Sequence, residues 1–159
     1  MLHRLMIATM AASLIAAPAS AQSPGFKDLP TRVEVYSFPT LTISDTQFLS
    51  GDDKGKEVTL TGELSIAQGS GRLPVAVLMH GSGGIGGNIG YWKRQLNGMG
   101  VSTFVIDGMT GRGLTGVGDK QAALGRLNFI LDIYRSLDIL AKHPRVDPNG
   151  IMRCRVNPQ

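Results

Sequence analysis

The chain has 159 residues, of which 42% are hydrophobic and 18% charged, a composition that predicts one globular domain and excludes a disordered chain. Its net charge is +4, but the basic residues form no run and do not alternate with aromatic residues, so no nucleic-acid partner is expected. Cys154 is the only cysteine, which excludes an internal disulfide and a cysteine-rich zinc site. His80 and His143 lack partners at ligand spacing, so no metal site is predicted.

Residues 1–21 have the layout of a secretory signal peptide. His3 and Arg4 give a positive start, an apolar stretch follows from Leu5 to Ala17, and residues 19–21 read Ala-Ser-Ala, a small-residue cleavage site. The apolar stretch has about 13 residues, fewer than the roughly 20 that are needed to cross a bilayer. We therefore predict an exported protein, periplasmic in the simplest case, with no membrane span after cleavage.

Two strands are predicted to lead the domain. Residues 22–30 precede them as a flexible arm, and the domain itself is expected at residues 31–152. Apolar and polar residues alternate from Thr31 to Phe38 and again from Glu57 to Ile66, which predicts strands with one buried face. Residues 50–55, rich in glycine and aspartate, favour a turn between them.

The pattern then changes to a continuous apolar run at residues 74–79 and a mostly apolar run at residues 101–106, which are typical of strands buried on both faces of a parallel sheet. A helix is predicted between them, from Tyr91 to Met99. A longer helix is predicted from about Asp119, a suitable N-cap, to Lys142, because apolar residues recur there at helical spacing. This order predicts an α/β fold with a mostly parallel sheet, two leading antiparallel strands and helices on both faces.

Glycine-rich loops follow both apolar runs, at the carboxyl ends of strands where open α/β sheets bind ligands. The first loop begins HGSGG at His80, and residues 81–86 match the dinucleotide fingerprint G-x-G-x-x-G, with Asp107 further along the chain. Gly87 and Gly90 are expected to delay the next helix, which disfavours that interpretation. An oxyanion loop is the second interpretation, because its backbone N–H groups stabilise the negative oxygen that forms during acyl transfer. A plain surface turn is the third.

Taken together, these stretches resemble the dienelactone hydrolase-like α/β-hydrolases. The resemblance is carried by LPVAVLMHGSGG at residues 73–84, by Ile106-Asp107 with TGRG at residues 110–113, and by HPRVDP at residues 143–148. The positions Trp92, Leu96 and Asp132 also match. The similar region extends from about residue 55 to residue 151, and its motifs occur in the family's order.

The resemblance implies a hydrolase of small esters or lactones that uses a Ser or Cys nucleophile with His and Asp and needs no cofactor. It implies oxyanion-hole N–H groups at Gly81 and Ser82. His80 and Asp107 would orient the loops and would not be the catalytic base and acid. Arg112 would meet an anionic substrate, since a guanidinium pairs well with a carboxylate. A solvated loop arginine is the alternative for Arg112.

The family pattern also requires a further buried strand after residue 148 and then G-x-S-x-G or its cysteine version. No G-x-S-x-G occurs, and Cys154 has no flanking glycines, so no catalytic triad is assigned. Arg153 and Arg155 would be buried in the centre of the sheet at a cost of several kcal/mol. Pro158 has no backbone N–H to donate to a neighbouring strand. We therefore expect residues 153–159 to form an aberrant tail.

The leading hypothesis from the sequence is an inactive N-terminal fragment of such a hydrolase, poorly soluble because its last strand has an open edge. A dinucleotide-binding oxidoreductase fragment is one alternative and predicts saturable dinucleotide binding. A non-enzymatic periplasmic binding module is the other. That module would use the glycine loops for an anionic ligand and predicts stabilisation by carboxylates, lost in Arg112→Ala.

Overall fold

The structure is a computed structural model that describes residues 26–118 and 120–156. The predicted signal peptide, the start of the predicted arm, the Asp119 cap and Pro158 lie outside these residues. In order, the described elements are β1 (Arg32–Thr42), α1 (Asp45–Ser50), β2 (Lys56–Ile66), β3 (Leu73–Met79), α2 (Gly87–Gly98), β4 (Ser102–Asp107), α3 (Asn128–Lys142) and β5 (Val146–Arg155). Short 3-10 turns occupy Thr110–Arg112 and Gln121–Ala123. None of the described helices has both the length and the apolar character that crossing a bilayer demands.

The five described strands form one mixed sheet in the order β1-β2-β4-β3-β5. Strand β2 pairs antiparallel with β1 over the whole length of both strands, and it pairs antiparallel with β4 on its other side. Strand β3 lies between β4 and β5 and runs parallel to both. The predicted fold class is confirmed: an α/β sheet that begins with two antiparallel strands and continues with parallel ones.

Burial follows the two sequence patterns. In β2 the buried Leu60 and Leu64 alternate with more exposed residues, because only one face of this strand is fully covered. In β3 every residue from Val75 to Met79 is buried, because helices cover both faces. The larger core lies between the sheet and α3, around Phe104, and the smaller one lies between the sheet and α2. The strand predictions for these stretches are confirmed.

The start of α3 differs from the prediction: the helix begins at Asn128 and not near Asp119. The side chain of Asn128 accepts from the backbone N–H of Ile43 and donates to the Ile43 carbonyl, at 2.9 and 2.7 Å. The neighbouring Leu127 N–H donates to the carboxylate of Asp45. These contacts with the connection between β1 and α1 hold the preceding segment in a non-helical path.

Two other helices were missed or misplaced. Helix α1 was not predicted, although Ser44 and Gln47 form a capping box at its start and Gly51 ends it with φ of 71°. Helix α2 begins at Gly87, so the expectation that glycines would delay it to Tyr91 was wrong. Its N-terminus follows the first glycine loop directly.

The expectation that the last strand would fail at Arg153 was also wrong. Strand β5 continues to Arg155, and Arg153 and Arg155 are in register with Val77 and Met79 of β3. Both arginines are exposed, because β5 is the outer strand of the described sheet and not its centre. Arg153 also lies over the Tyr134 ring, 5.3 Å from its centroid. The predicted cost of charge burial therefore does not arise.

Candidate functional site at the carboxyl ends of strands β3 and β4

Two loops lie side by side where β3 and β4 end: the first loop, residues 80–86, and the second loop, residues 108–118. The Val117 N–H donates to the Ser82 carbonyl at 2.8 Å and joins the two loops. Glycine is required at the closest approach, because a Cβ at Gly84 would lie 2.7 Å from the Thr115 carbonyl oxygen. Gly84 also has φ of 80°, in the left-handed region that favours glycine. The glycine-rich sequence thus lets the two backbones touch.

His80, which directly precedes Gly81, contacts both loops and is only 1% exposed. Its Nε2 accepts the backbone N–H of Gly108 at 3.0 Å, so the ring proton is on Nδ1, which lies 2.7 Å from the Gly81 carbonyl oxygen. The ring packs edge-on against Phe129 of α3. Both ring nitrogens of His80 are engaged by backbone, which leaves neither free to accept a proton from a substrate.

Asp107 ends β4 and holds the start of the second loop. Its Oδ1 accepts the backbone N–H groups of Met109 and Thr110 at 3.0 and 2.9 Å. Burial by itself raises the pKa of this carboxyl, but the hydrogen bonds from Thr110 and Met109 outweigh burial and leave the pKa below its ordinary value. Asp107 is therefore an ionised loop cap.

The N–H groups of the first loop differ in availability. Gly81 is buried and pairs with Gly84 in an isolated antiparallel bridge. Ser82 is half-buried and Gly83 is exposed, and within residues 26–118 and 120–156 their N–H groups donate no hydrogen bond. Of the two predicted oxyanion donors, Ser82 thus has an N–H without a partner among the described residues, and the neighbouring Gly83 has another.

Arg112 occupies a different place from the one that either sequence interpretation gave it. Its side chain is 2% exposed and forms a bidentate ion pair with the fully buried Asp132 of α3, at 2.7 and 2.9 Å. The remaining three N–H groups donate to the Gly108 carbonyl, the Leu41 carbonyl and the Thr42 hydroxyl. The solvated alternative is wrong, and in this arrangement no N–H of Arg112 is free for a substrate carboxylate.

Asp132 carries the charge that balances Arg112 and was not predicted as a site residue. Burial raises the pKa of Asp132 above its ordinary value, although the Arg112 guanidinium and the Thr40 hydroxyl both oppose that rise. The carboxylate therefore depends on these partners to remain ionised. Its match to the family pattern in the long helix was the one signal in the sequence that pointed to it.

A cleft of about 430 Å³ opens beside the loops, on the side of the sheet that α2 covers. Ile85 and Gly86 of the first loop and Asp107 lie along it, and Val105 and Ile89 form apolar parts of its wall. Lys93 of α2 and Glu63 of β2, which form an ion pair, also line it. Among the described residues, no group of three His, Cys, Asp or Glu side chains is placed to hold a metal ion.

The arrangement does not match a dinucleotide site. In the dinucleotide-binding fold the third parallel strand lies beyond the second, whereas here the third parallel strand, β5, lies on the other side of β3, and antiparallel β2 occupies the place beside β4. The acidic residue that would bind a ribose, Asp107, already uses its Oδ1 to cap its own loop. The loops instead present free N–H groups at the end of a buried strand.

No protein-family model matches the chain, and no curated protein matches it. Solved structures do share its fold. A dienelactone hydrolase-like promiscuous phosphotriesterase from metagenomic libraries aligns with 77% of this chain and 48% of its own, at 16% identity and a TM-score of 0.53. A hyperthermophilic esterase from the archaeon Pyrobaculum calidifontis aligns with 82% of this chain and 36% of its own, at 17% identity and a TM-score of 0.52.

The thermophilic carboxylesterase EstE1 from a metagenomic library aligns with 79% of this chain and 37% of its own, at 15% identity and a TM-score of 0.52. At such identities the likeness shows the fold alone. The predicted resemblance to dienelactone hydrolase-like α/β-hydrolases is confirmed at that level, and the chain spans half or less of the structures it matches.

Proposed function

We propose that this chain is the N-terminal part of an exported ester or lactone hydrolase of the dienelactone hydrolase-like kind, and that its first loop contributes the oxyanion hole. One observation carries the proposal: Ser82 and Gly83 have N–H groups without an acceptor among the described residues, at the carboxyl end of a buried parallel strand. In hydrolases of this fold, the loop after the third strand supplies one oxyanion-hole N–H.

The proposed chemistry is stabilisation of the oxyanion that forms when a nucleophile attacks an ester carbonyl. Such stabilisation requires donors that are fixed before the reaction, since reorientation during the reaction would cost free energy. The bonds of His80 to Gly81 and Gly108, and of Val117 to Ser82, support this role, because they hold the backbone on either side of the free N–H groups. The contacts of His80 and Asp107 also favour loop orientation as their function.

The catalytic triad is proposed to belong to a longer protein. In this fold the nucleophile occupies a turn between a strand and a helix, and the acid and then the base follow along the chain. The dienelactone hydrolase-like structure is about twice as long as the part of it that this chain matches, which leaves room for all three. This chain by itself is expected to hydrolyse no ester.

Export and substrate class are proposed on the sequence. Residues 1–21 have the layout of a signal peptide, which supports a periplasmic protein. A small ester or lactone is the substrate class that the resemblance implies, and the partly apolar cleft beside the first loop is compatible with a small molecule of that kind.

The test begins with the coding DNA, read in all three frames from codon 145 to beyond the stop. We expect one frame to continue with a glycine-flanked Ser or Cys, followed by Asp and His. Joined to residues 22–152, that continuation should hydrolyse p-nitrophenyl acetate. If no frame continues the domain, the hydrolase proposal fails and an exported binding module takes its place.

The oxyanion role is tested in the same joined protein. Ser82→Pro removes the free N–H and should lower kcat by about 10²–10³-fold, the effect of losing one oxyanion donor. Ser82→Ala keeps the N–H and is the matched control, which should retain kcat. Equal kcat values for both variants would remove Ser82 from the oxyanion hole.

A further inference from the structure

Arg112 connects three elements that are distant in the sequence. Its guanidinium reaches α3 through Asp132, the end of β1 through Leu41 and Thr42, and the second loop through Gly108. All five N–H donors of the side chain are used within these contacts. Because the group is planar and rigid, its five bonds fix the three elements relative to one another.

Gly108 receives this constraint and is held from two sides. Its carbonyl accepts from Arg112 Nη1 at 2.8 Å, and its N–H donates to His80 Nε2 at 3.0 Å. The space around it is filled, since a Cβ at this position would lie 2.9 Å from Cε1 of Phe129. Gly108 therefore cannot shift without disturbing either the ion pair or the imidazole.

His80 carries the constraint into the first loop. Its Nδ1 lies 2.7 Å from the carbonyl oxygen of Gly81, the residue immediately before Ser82. A continuous series of buried contacts thus runs from the ion pair through Gly108 and His80 to the backbone that bears the free N–H groups. Buried polar groups that are fully paired act as rigid supports, because a lost partner leaves a desolvated group unsatisfied.

We infer that the Arg112–Asp132 ion pair is a positioning device for the first loop, acting through Gly108 and His80. The inference rests on the proposed function, since it concerns the same loop. Arg112 then contributes to hydrolysis without meeting the substrate, in contrast to the anion-binding role that its position in the sequence implied. Asp132 contributes by keeping the guanidinium fixed, with Thr40 as its further partner.

The test uses the chain as it exists, labelled with ¹⁵N, and compares Arg112→Lys with the unchanged sequence. Lysine keeps the charge but cannot hold Asp132 and Gly108 in one fixed geometry. We expect amide hydrogen exchange at Gly108 to become about tenfold faster, because its carbonyl loses a hydrogen bond from a charged group and its N–H is then held less firmly against His80. The His80 imidazole ¹⁵N signals and the Ser82 and Gly83 amide signals should move with it.

Two further variants separate positioning from a general loss of stability. Asp138→Ala, at an exposed position of α3 that has no bond to Arg112 or Asp132, is the control, which should leave the Gly108 and His80 signals in place. Thr40→Val removes a bond to Asp132 and should shift the same signals in the same direction by a smaller amount. The amides of Leu60 and Leu64 serve as internal references and should keep their exchange rates.

Unchanged Gly108 and His80 signals in a folded Arg112→Lys protein would overturn the inference. If that variant does not fold, Thr40→Val decides, and unchanged signals there would overturn it equally. The outcome is independent of the kinetic test of Ser82. Signals that move while Ser82→Pro keeps its activity would retain the positioning role and remove the oxyanion role.

Discussion

The two outer strands of the described sheet, β1 and β5, are held in opposite ways. Strand β1 is in continuous register with β2 from Arg32 to Thr42, and its far end accepts hydrogen bonds from Arg112 and donates one to Asp132. Strand β5 has an irregular register near its start, and its residues 152–155 are exposed. Buried polar groups thus connect β1 to α3, while β5 meets α3 through other contacts, such as Arg153 over the Tyr134 ring.

Two clefts lined in part by apolar residues lie beside β5, one on each face of the sheet. The larger, about 1000 Å³, lies toward α2 and is lined in part by Trp92 and Leu96. The smaller, about 690 Å³, lies toward α3 and is lined in part by Phe129 and Ile133. The two edges therefore differ in their polar contacts: the buried Arg112–Asp132 pair bonds to the end of β1, and it has no counterpart on the described residues of β5.

The contrast between β1 and β5 would not hold if the Arg112–Asp132 ion pair could be removed with little loss of stability. Asp132→Ala leaves the Arg112 charge buried without a partner and should lower the free energy of unfolding by about 3–5 kcal/mol. Asp138→Ala, at an exposed position of the same helix, is the control and should change it by less than about 0.5 kcal/mol. Urea unfolding measures both, and similar values would show that the pair is not an anchor.

Truncations in β2 and β5 sharpen the comparison for apolar side chains. Leu64→Ala empties a fully buried position and should cost about 2–5 kcal/mol. Met152→Ala alters a side chain that is 44% exposed on β5, and it should cost less than about 0.5 kcal/mol. The midpoints of denaturant unfolding give both values, and an equal loss would mean that β5 is packed as tightly as β2.

Low pH should reduce the stability of the folded state through protonation of Glu34 in β1. A hydrogen bond from Tyr36 lowers the pKa of this carboxyl below its ordinary value of 4.5, burial opposes the shift, and His143 and Arg32 assist it. The folded state therefore binds this proton less readily than the unfolded state, so the contribution is present above pH 4.5 and is lost as pH falls through the lowered pKa.

Glu34→Gln should accordingly reduce stability at pH 7 by less than about 1 kcal/mol, since the carboxylate is partly exposed. The variant should also lose part of the decline in stability below pH 4.5. Unfolding free energies between pH 3 and 7, measured for both proteins, test this, and parallel curves would contradict it. Glu57→Gln, at an exposed position of β2, is the control.

The smallest expected effect concerns association at the β5 edge. Met152→Lys places a charge on an exposed outer strand and should slow aggregation, because charged edges resist pairing with another chain. Static light scattering at rising protein concentration measures it. The same substitution should leave the unfolding midpoint nearly unchanged, and unchanged aggregation would show that β5 is not the surface that associates.

Local patterns were enough to predict most of the fold. Alternation predicted β1 and β2, and apolar runs predicted β3 and β4, because the number of buried faces of a strand determines its pattern of apolar residues. The capping box at Ser44 is also a local signal, but α1 was not predicted from it. The start of α3 could not be read, since it depends on the side chain of Asn128 reaching Ile43, distant in the chain.

The sequence by itself determined the α/β order of elements and placed the glycine loops at the ends of two strands, because turn chemistry and periodicity are local properties. Only the tertiary structure showed that β5 is an outer strand of the described sheet, where Arg153 is exposed. Only the tertiary structure paired Arg112 with Asp132, because the position of a charge inside a protein depends on which distant elements enclose it. Whether an arginine meets a ligand or supports a loop is settled by its neighbours in space.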